Sequence, residues 1–390
     1  MSFGPIRRAD WRALRRLHRR CVRKPVFRTL AGSVVVCDAR LARQVLVDGD
    51  ERLDHVPAFW RPGGVALPPV QCTAWNRWVH RALAAEDEDR AAELAVESLA
   101  AARGDLHRAC LHAVAEAHGR SLGLDHAELR AVVDEFLDTV FHAMVTGSRR
   151  GADDRAFERL CARAAAALAD EPVPGLPDLA GAPGPAARPG EAGPPAAPAD
   201  EPAPGSSDAG PAGPAVRGEM YLRAVTAFVG ASAAALTWLV CAHHPTGPIA
   251  VRRATDPRDA HPGHVALEAL RLWPPAWQHR RPVRHDHRLG TLSVLRGDDV
   301  VVPTYALHRH PRHWPDPDDF RPERWENLPD RPDAFLPFAV GPGACVAATS
   351  EVRLLGAVAA RLADRPLPLT RLGRAPRVTA VLSAPEHVLG

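Results

Sequence analysis

The stretch Phe335-Leu336-Pro337-Phe338-Ala339-Val340-Gly341-Pro342-Gly343-Ala344-Cys345-Val346-Ala347 decides how this chain is read. It is a Gly/Pro-rich loop that ends on a cysteine. It runs into a periodic apolar segment, Val352, Leu354, Leu355 and Val358, which reads as a helix. A cysteine at a helix N-terminus faces unpaired N–H groups and the positive end of the helix dipole, and both favour the thiolate. A thiolate held in that way is a ready metal ligand. On the loop alone, an ordinary buried cysteine after a turn is the alternative.

Two upstream stretches weigh against that alternative. Glu268-Ala269-Leu270-Arg271 sets a carboxylate and a guanidinium three residues apart on one helix face, and Leu272-Trp273-Pro274-Pro275 ends the helix at once. Further on comes His308-Arg309-His310-Pro311-Arg312-His313-Trp314-Pro315-Asp316-Pro317-Asp318-Asp319-Phe320-Arg321-Pro322-Glu323-Arg324-Trp325. Haem iron is one metal that takes a single axial cysteine. Together the three stretches resemble the cytochrome P450 family, whose haem loop reads Phe-x-x-Gly-x-x-x-Cys-x-Gly/Ala. Phe338, Gly341, Cys345 and Ala347 fill that pattern.

The resemblance implies a mainly α fold with small β-sheets and haem b (iron protoporphyrin IX) bound through Cys345. It also implies a buried structural triad of Glu268, Arg271 and Arg324. A charge cluster of that kind survives burial only when each member is satisfied. Haem propionates in the family meet an Arg or His two residues before the cysteine, where this chain has Gly343. Arg280 or Arg281 is expected at one propionate. On the early helix Trp75, Arg77, His80 and Arg81 are candidates, though no register fits cleanly.

The central helix departs further from the family. It reads Val225-Thr226-Ala227-Phe228-Val229-Gly230-Ala231-Ser232-Ala233-Ala234-Ala235-Leu236-Thr237-Trp238. Most relatives carry an acid and an alcohol here that relay protons for O–O cleavage. Gly230 and Ala231 stand at those two positions, and only Ser232 keeps a hydroxyl. His308, His310 and His313 in the downstream stretch, and His285 and His287 on a strand-like edge, are read as solvated or structural.

Composition sets the bounds. The chain has 390 residues, 46% of them apolar, enough for a large core, and a formal net charge of +3 gives no reason to invoke a nucleic-acid partner. Seven cysteines without paired spacing suggest free thiols in a reducing cytoplasm. No apolar run long enough to span a membrane is expected. Lys24 is the only lysine, a usage that fits a GC-rich bacterial genome. Trp11, Leu14 and Leu17 lie three apart among many arginines and predict a basic amphipathic helix, packed on the body or resting on a membrane surface.

Along the chain, Ser33–Cys37 predicts a strand and Asp38 the cap of a helix through Leu46. Helices are expected within Leu106–Gly147 and over Asp154–Leu168. Residues 171–218 are almost wholly Pro, Ala, Gly, Asp and Glu and are expected to be disordered. A long helix is expected from Glu219 to about Val240. The organisation is thus 1–170 as the N-terminal part of one domain, 171–218 as an insertion in the lid region, and 219–390 as its haem-binding C-terminal part.

The resemblance implies a haem-thiolate oxidoreductase of bacterial secondary metabolism, acting on an organic small molecule and served by ferredoxin and ferredoxin reductase. The missing relay admits a reaction that needs no such relay. It also admits a non-catalytic homologue that activates a partner enzyme such as a glycosyltransferase. Phe59, Trp60, Trp277 and Phe228 are read either as pocket lining or as core.

Overall fold

In the computed structural model, the described residues are 11–30, 32–47, 69–141, 154–177, 214–244, 255–326, 328, 331–372, 375–378 and 381–390. Helix α1 (Trp11–Arg23) leads into strands β1 (Val26–Arg28) and β2 (Val34–Val36), and Asp38 caps α2 (Ala39–Val47) by accepting from Leu41 N–H at 2.9 Å. Then follow α3 (Pro69–Ala84), α4 (Glu88–Ala101), β3 (Gly104–Asp105), α5 (Leu106–Ala117) and α6 (Ala127–Phe136), the last running into a π-helical turn, Leu137–Phe141. Helix Asp154–Asp170 precedes the long helix Pro214–His243. In the C-terminal part lie the Glu268 helix (Pro262–Leu272), strands β4 (His279–Pro282), β5 (His287–Leu289), β6 (Leu292–Val294) and β7 (Asp299–Val302), and the cysteine helix (Ala348–Asp364).

The largest sheet has the order β1-β2-β7-β4, with β2 and β7 parallel and the other pairs antiparallel. That parallel pairing joins the N-terminal part of the chain to the C-terminal part. The long helix forms the centre, packed on helix Asp154–Asp170, α5, the cysteine helix and the Glu268 helix. Its Trp238 stacks on Trp273 at 4.8 Å, and Trp273 stacks on Phe320 at 5.9 Å, so one aromatic column links three segments.

The structure revises two expectations. The long helix begins at Pro214, inside the stretch expected to be disordered, because proline suits a first helical turn and Gly218 fits tightly against helix Asp154–Asp170. At the other edge of that stretch Val173 is buried and Pro174 O accepts from Trp78 Nε1 at 3.3 Å. Residues 178–213 lie outside the described residues. Second, Arg217–His243 is long and apolar enough to cross a membrane by composition, contrary to the sequence reading, yet most of it is buried in the core. Its charged residues cluster in the first two turns and the remainder is apolar on every side, the pattern of a buried helix.

The fully buried Glu268 carboxylate organises the C-terminal part. It accepts from Arg271 Nε and Nη2, each at 2.8 Å, from Arg324 Nε at 3.0 Å, from Arg321 N–H at 2.9 Å and from Trp325 Nε1 at 3.0 Å. Arg271 donates in turn to the carbonyls of His308 (2.7 Å), Pro317 (2.7 Å) and Asp319 (3.0 Å). Replacing Arg271 with Ala would strand the carboxylate and leave these carbonyls without their donor, at a cost of about 3–5 kcal/mol. We expect Arg271→Ala to be insoluble or to show a strongly lowered urea midpoint. A midpoint equal to that of the parent would refute the bracing role.

Candidate haem site

The cysteine loop is held from both ends. Leu336 N–H donates to His308 Nε2 at 2.8 Å, His308 Nδ1 donates to Arg271 O at 3.0 Å, and His279 Nε2 donates to Leu336 O at 3.2 Å. Burial keeps both rings neutral, pushing His308 well below the usual histidine range and His279 down to about 4. The loop is therefore tied to the Glu268–Arg271 cluster through one histidine and to β4 through another. Of the two readings open for His308 in the sequence, solvated or structural, its buried, doubly bonded ring fits the second, and His279 carries no local signal, since both act across more than 25 residues of chain.

Downstream, Gly341 adopts φ +74°, and a Cβ there would lie 2.7 Å from Val47 Cα and 3.0 Å from Leu46 O. Only glycine lets the loop press on the end of α2 in that conformation. Phe338 O accepts from Cys345 N–H at 2.8 Å, which closes the loop, and Ala347 is buried at the foot of the cysteine helix. Cys345 is open to solvent, yet enough protein surrounds its sulfur to desolvate it, so it lies in a recess. Desolvation pushes the thiol up to about 11, while the Ala347 N–H favours the thiolate and the nearby Glu351 opposes it. Unligated, the sulfur is a neutral thiol, and a bound metal would supply the positive charge that deprotonates it.

Arg281 is buried in β4, its Nη1 donates to Arg280 O at 3.2 Å, and its Nε makes no hydrogen bond to the described residues. Trp75 is buried, and its Nε1 also has no partner among the described residues. Buried donors left in this way are the kind a carboxylate satisfies, so Arg281 and Trp75 suit haem propionates, and Cys345 with the Ala347 N–H suits the iron. Arg280 instead pairs with Asp299. Arg77 and Arg81 are exposed on α3, with Arg81 Nε donating to Arg77 O at 3.4 Å, and Gly343 is exposed.

On the long helix, Gly230 and Ala231 offer no acid and no alcohol. The ring of Phe141 occupies the space beside Gly230, where a Cβ would fall 2.0 Å from Phe141 Cζ. A glutamate at this position would have to displace the Phe141 ring. Ser232 is buried and donates to Glu351 of the cysteine helix, a residue the sequence reading passed over. Burial, partly offset by the Ser232 bond, pushes Glu351 up to about 7, and its Oε1 makes no hydrogen bond to the described residues. A carboxyl six residues past the cysteine, in a segment otherwise apolar on that face, is the signal that could have found it. Phe228 and Trp277 are core, Phe228 packing edge-on to His118 at 4.9 Å. Phe59 and Trp60 lie outside the described residues.

The cytochrome P450 family model matches residues 264–348. Cyclooctatin synthase of Streptomyces melanosporofaciens is 37% identical over 142 residues, which is 34% of this chain and 30% of that protein. Human cytochrome P450 3A5 is 39% identical over 84 residues, 21% of this chain and 17% of that protein. The matching sequence thus spans less than a third of these relatives. Over the whole fold, a mutant of P450 EryK in complex with erythromycin B aligns at a TM-score of 0.65 with 18% identity, covering 98% of this chain and 97% of that one. A zebra fish cytochrome P450 with progesterone aligns at 0.62 with 20% identity, covering 96% and 98%.

The chain therefore has the fold of the cytochrome P450 superfamily, mainly helical with small mixed sheets, and is related to bacterial and other P450s through the segment that holds the Glu268 helix and the cysteine loop. Haem b is the cofactor that defines that family.

Two outcomes follow for the long helix and its neighbour. Gly230→Glu should fail to fold or lose several kcal/mol, and adding Phe141→Ala should restore soluble protein. A stable single variant would show that the Phe141 ring moves aside freely. For Glu351, the unfolded chain releases its proton near the ordinary 4.5 and the folded chain near 7. Stability therefore falls as pH rises through that window, by about 3 kcal/mol, and is level above it. Glu351→Gln should remove this fall in urea melts taken from pH 4.5 to 8. An unchanged pH profile would count against a buried, protonated Glu351.

Proposed function

We propose that this protein is a haem-thiolate oxidoreductase of bacterial secondary metabolism, working in the cytoplasm on an organic small molecule with electrons from a ferredoxin and its reductase. The single observation that carries the reading is Cys345, set in a recess by a glycine-dependent loop with the Ala347 N–H directed at its sulfur. The names of a synthase of cyclooctatin and of a P450 bound to erythromycin B support a small-molecule metabolic substrate.

When bound, the haem would supply redox and oxygen chemistry, with thiolate donation favouring O–O cleavage. The chain's own contribution is legible residue by residue. Cys345 would ligate the iron, Arg281 would neutralise a propionate, and the Trp75 indole N–H would help to orient one. Leu336, gripped by His279 and His308, fixes the loop that carries the sulfur. Phe141 closes the space at Gly230 and keeps an acid from standing there. Protons would come from Ser232 with Glu351, from water or from the substrate, and an outcome that needs no relay is favoured over conventional hydroxylation.

A second reading has a specific observation behind it. Gly343 stands where a propionate-binding side chain is usual, and Phe141 fills the usual position of the relay acid, as suits a non-catalytic homologue that activates a partner such as a glycosyltransferase. Retention of Cys345 in a formed loop favours the catalytic reading.

The purified, haem-reconstituted protein, reduced and treated with CO, should give the long-wavelength Soret band of thiolate ligation, and Cys345→Ser should abolish it. Failure to take up haem would overturn the oxidoreductase reading and favour the helper. With a reductase, NADPH and ferredoxin, oxygen use should be slow and mostly released as peroxide. Tight coupling to product would show that a complete proton route exists.

A further inference from the structure

Helix α1 carries more positive charge than the whole chain nets. Between Trp11 and Lys24 there is no acid, and Arg12, Arg15, Arg16, Arg19, Arg23 and Lys24 are all exposed, whereas the formal charge of the chain is +3. The apolar stripe of this helix is already used. Leu14 and Cys21 are buried, Trp11 packs edge-on to Tyr305 at 5.6 Å, and His18 Nε2 bonds Arg309 O at 3.1 Å. The helix therefore cannot insert an apolar face into a bilayer, as an isolated amphipathic helix would. What it presents outward is charge.

Apolar anchors stand beside it on two loop tips. The guanidinium of Arg20 lies 4.3 Å over the ring of Phe27, fixing α1 against β1. At the end of β1, Arg28 donates to Gly32 O at 2.7 Å and to Ser293 O at 3.0 Å, and it pairs with both oxygens of Asp298 at 2.9 and 2.8 Å. One arginine thus ties the turn that carries Leu30 to the turn that carries Leu295. Leu30 is fully exposed and Leu295 more than half exposed, two of only five exposed large hydrophobic residues among those described. Arg296, next to Leu295, is exposed as well. Among the described acids near this face, Asp298 and Asp318 are paired with Arg28 and Arg309, and Asp286 is turned to the backbone N–H of Arg296 at 2.7 Å.

A basic field with protruding leucines at its edge matches an anionic phospholipid surface, where headgroups meet the arginines and the leucines enter the acyl boundary. We propose that α1 and the Leu30 and Leu295 tips form a peripheral docking surface for an anionic bilayer. A nucleic acid would engage the charge but give two isolated leucines no apolar medium, and an acidic protein would need an apolar patch matched to both tips. The contact is a surface one: α1 lies flat on the fold, and the buried long helix takes no part.

The test is co-sedimentation of the full, haem-loaded chain with phosphatidylglycerol/phosphatidylcholine vesicles and with phosphatidylcholine alone, at low and at raised salt. Binding is expected to the anionic vesicles only, weakening with salt. The combined Arg12→Gln, Arg15→Gln, Arg19→Gln, Arg23→Gln variant should bind at least about tenfold more weakly. Leu30→Ser with Leu295→Ser should weaken binding several-fold on the scale of apolar burial, with the salt dependence retained. All these side chains are exposed, and an unchanged circular dichroism spectrum checks the fold. No binding to anionic vesicles at low salt, or binding indifferent to the four arginines, would overturn the proposal. So would a leucine variant that binds vesicles as well as the parent, since the site would then be a general polyanion site; binding of heparin by both would identify it as such.

Discussion

One buried carboxylate is the constraint on which the C-terminal half depends. Glu268 is wholly removed from water, and a lone carboxylate there would be strongly disfavoured. It persists because Arg271, Arg324, the Arg321 N–H and the Trp325 indole all donate to it. Arg271 then uses its remaining donors to gather three carbonyls of the stretch His308–Asp319, so a charge pair within one helix becomes the anchor of a long irregular segment. Irregular backbone inside a protein needs partners for its polar groups, and a guanidinium with five N–H donors supplies several at once.

The anchor extends to the cysteine loop through His308. Its ring donates to the Arg271 carbonyl and accepts from Leu336, which fixes its tautomer and makes protonation costly. With His279 on the other side of Leu336, the loop enters along a defined path, and Gly341 then sets it against α2. The recess at Cys345 is thus the end of a chain of satisfied polar groups that starts at Glu268. That is why a structural ion cluster remote in sequence bears on the geometry of a ligand.

The long helix is closely packed at Gly230 and polar at Ser232. Gly230 receives an aromatic ring, and Phe141 is almost fully buried by doing so. A carboxyl group, Glu351 of the cysteine helix, accepts from the Ser232 hydroxyl. With the acid on the cysteine helix, the two helices are joined by a polar contact in an otherwise apolar interface. Burial alone suffices to keep that carboxyl protonated near neutral pH.

Much of this was legible in the sequence, because it rests on short-range pattern. Cysteine after a Gly/Pro loop, Glu and Arg three apart before Trp-Pro-Pro, Asp38 ahead of an apolar helix and the basic face of α1 are all local, and each is fixed by backbone geometry and residue chemistry within a few positions. What the sequence could not decide were the partners met across the fold. That Phe141 would fill the space at Gly230, that His279 and His308 would grip Leu336, and that Ser232 would find Glu351 depend on segments from 28 to 119 residues apart. The start of the long helix at Pro214 was hidden for the same reason, since its low-complexity flank gains order only from packing on helix Asp154–Asp170. Local sequence sets which groups need a partner, and only the tertiary packing that brings distant segments together sets which partner each receives.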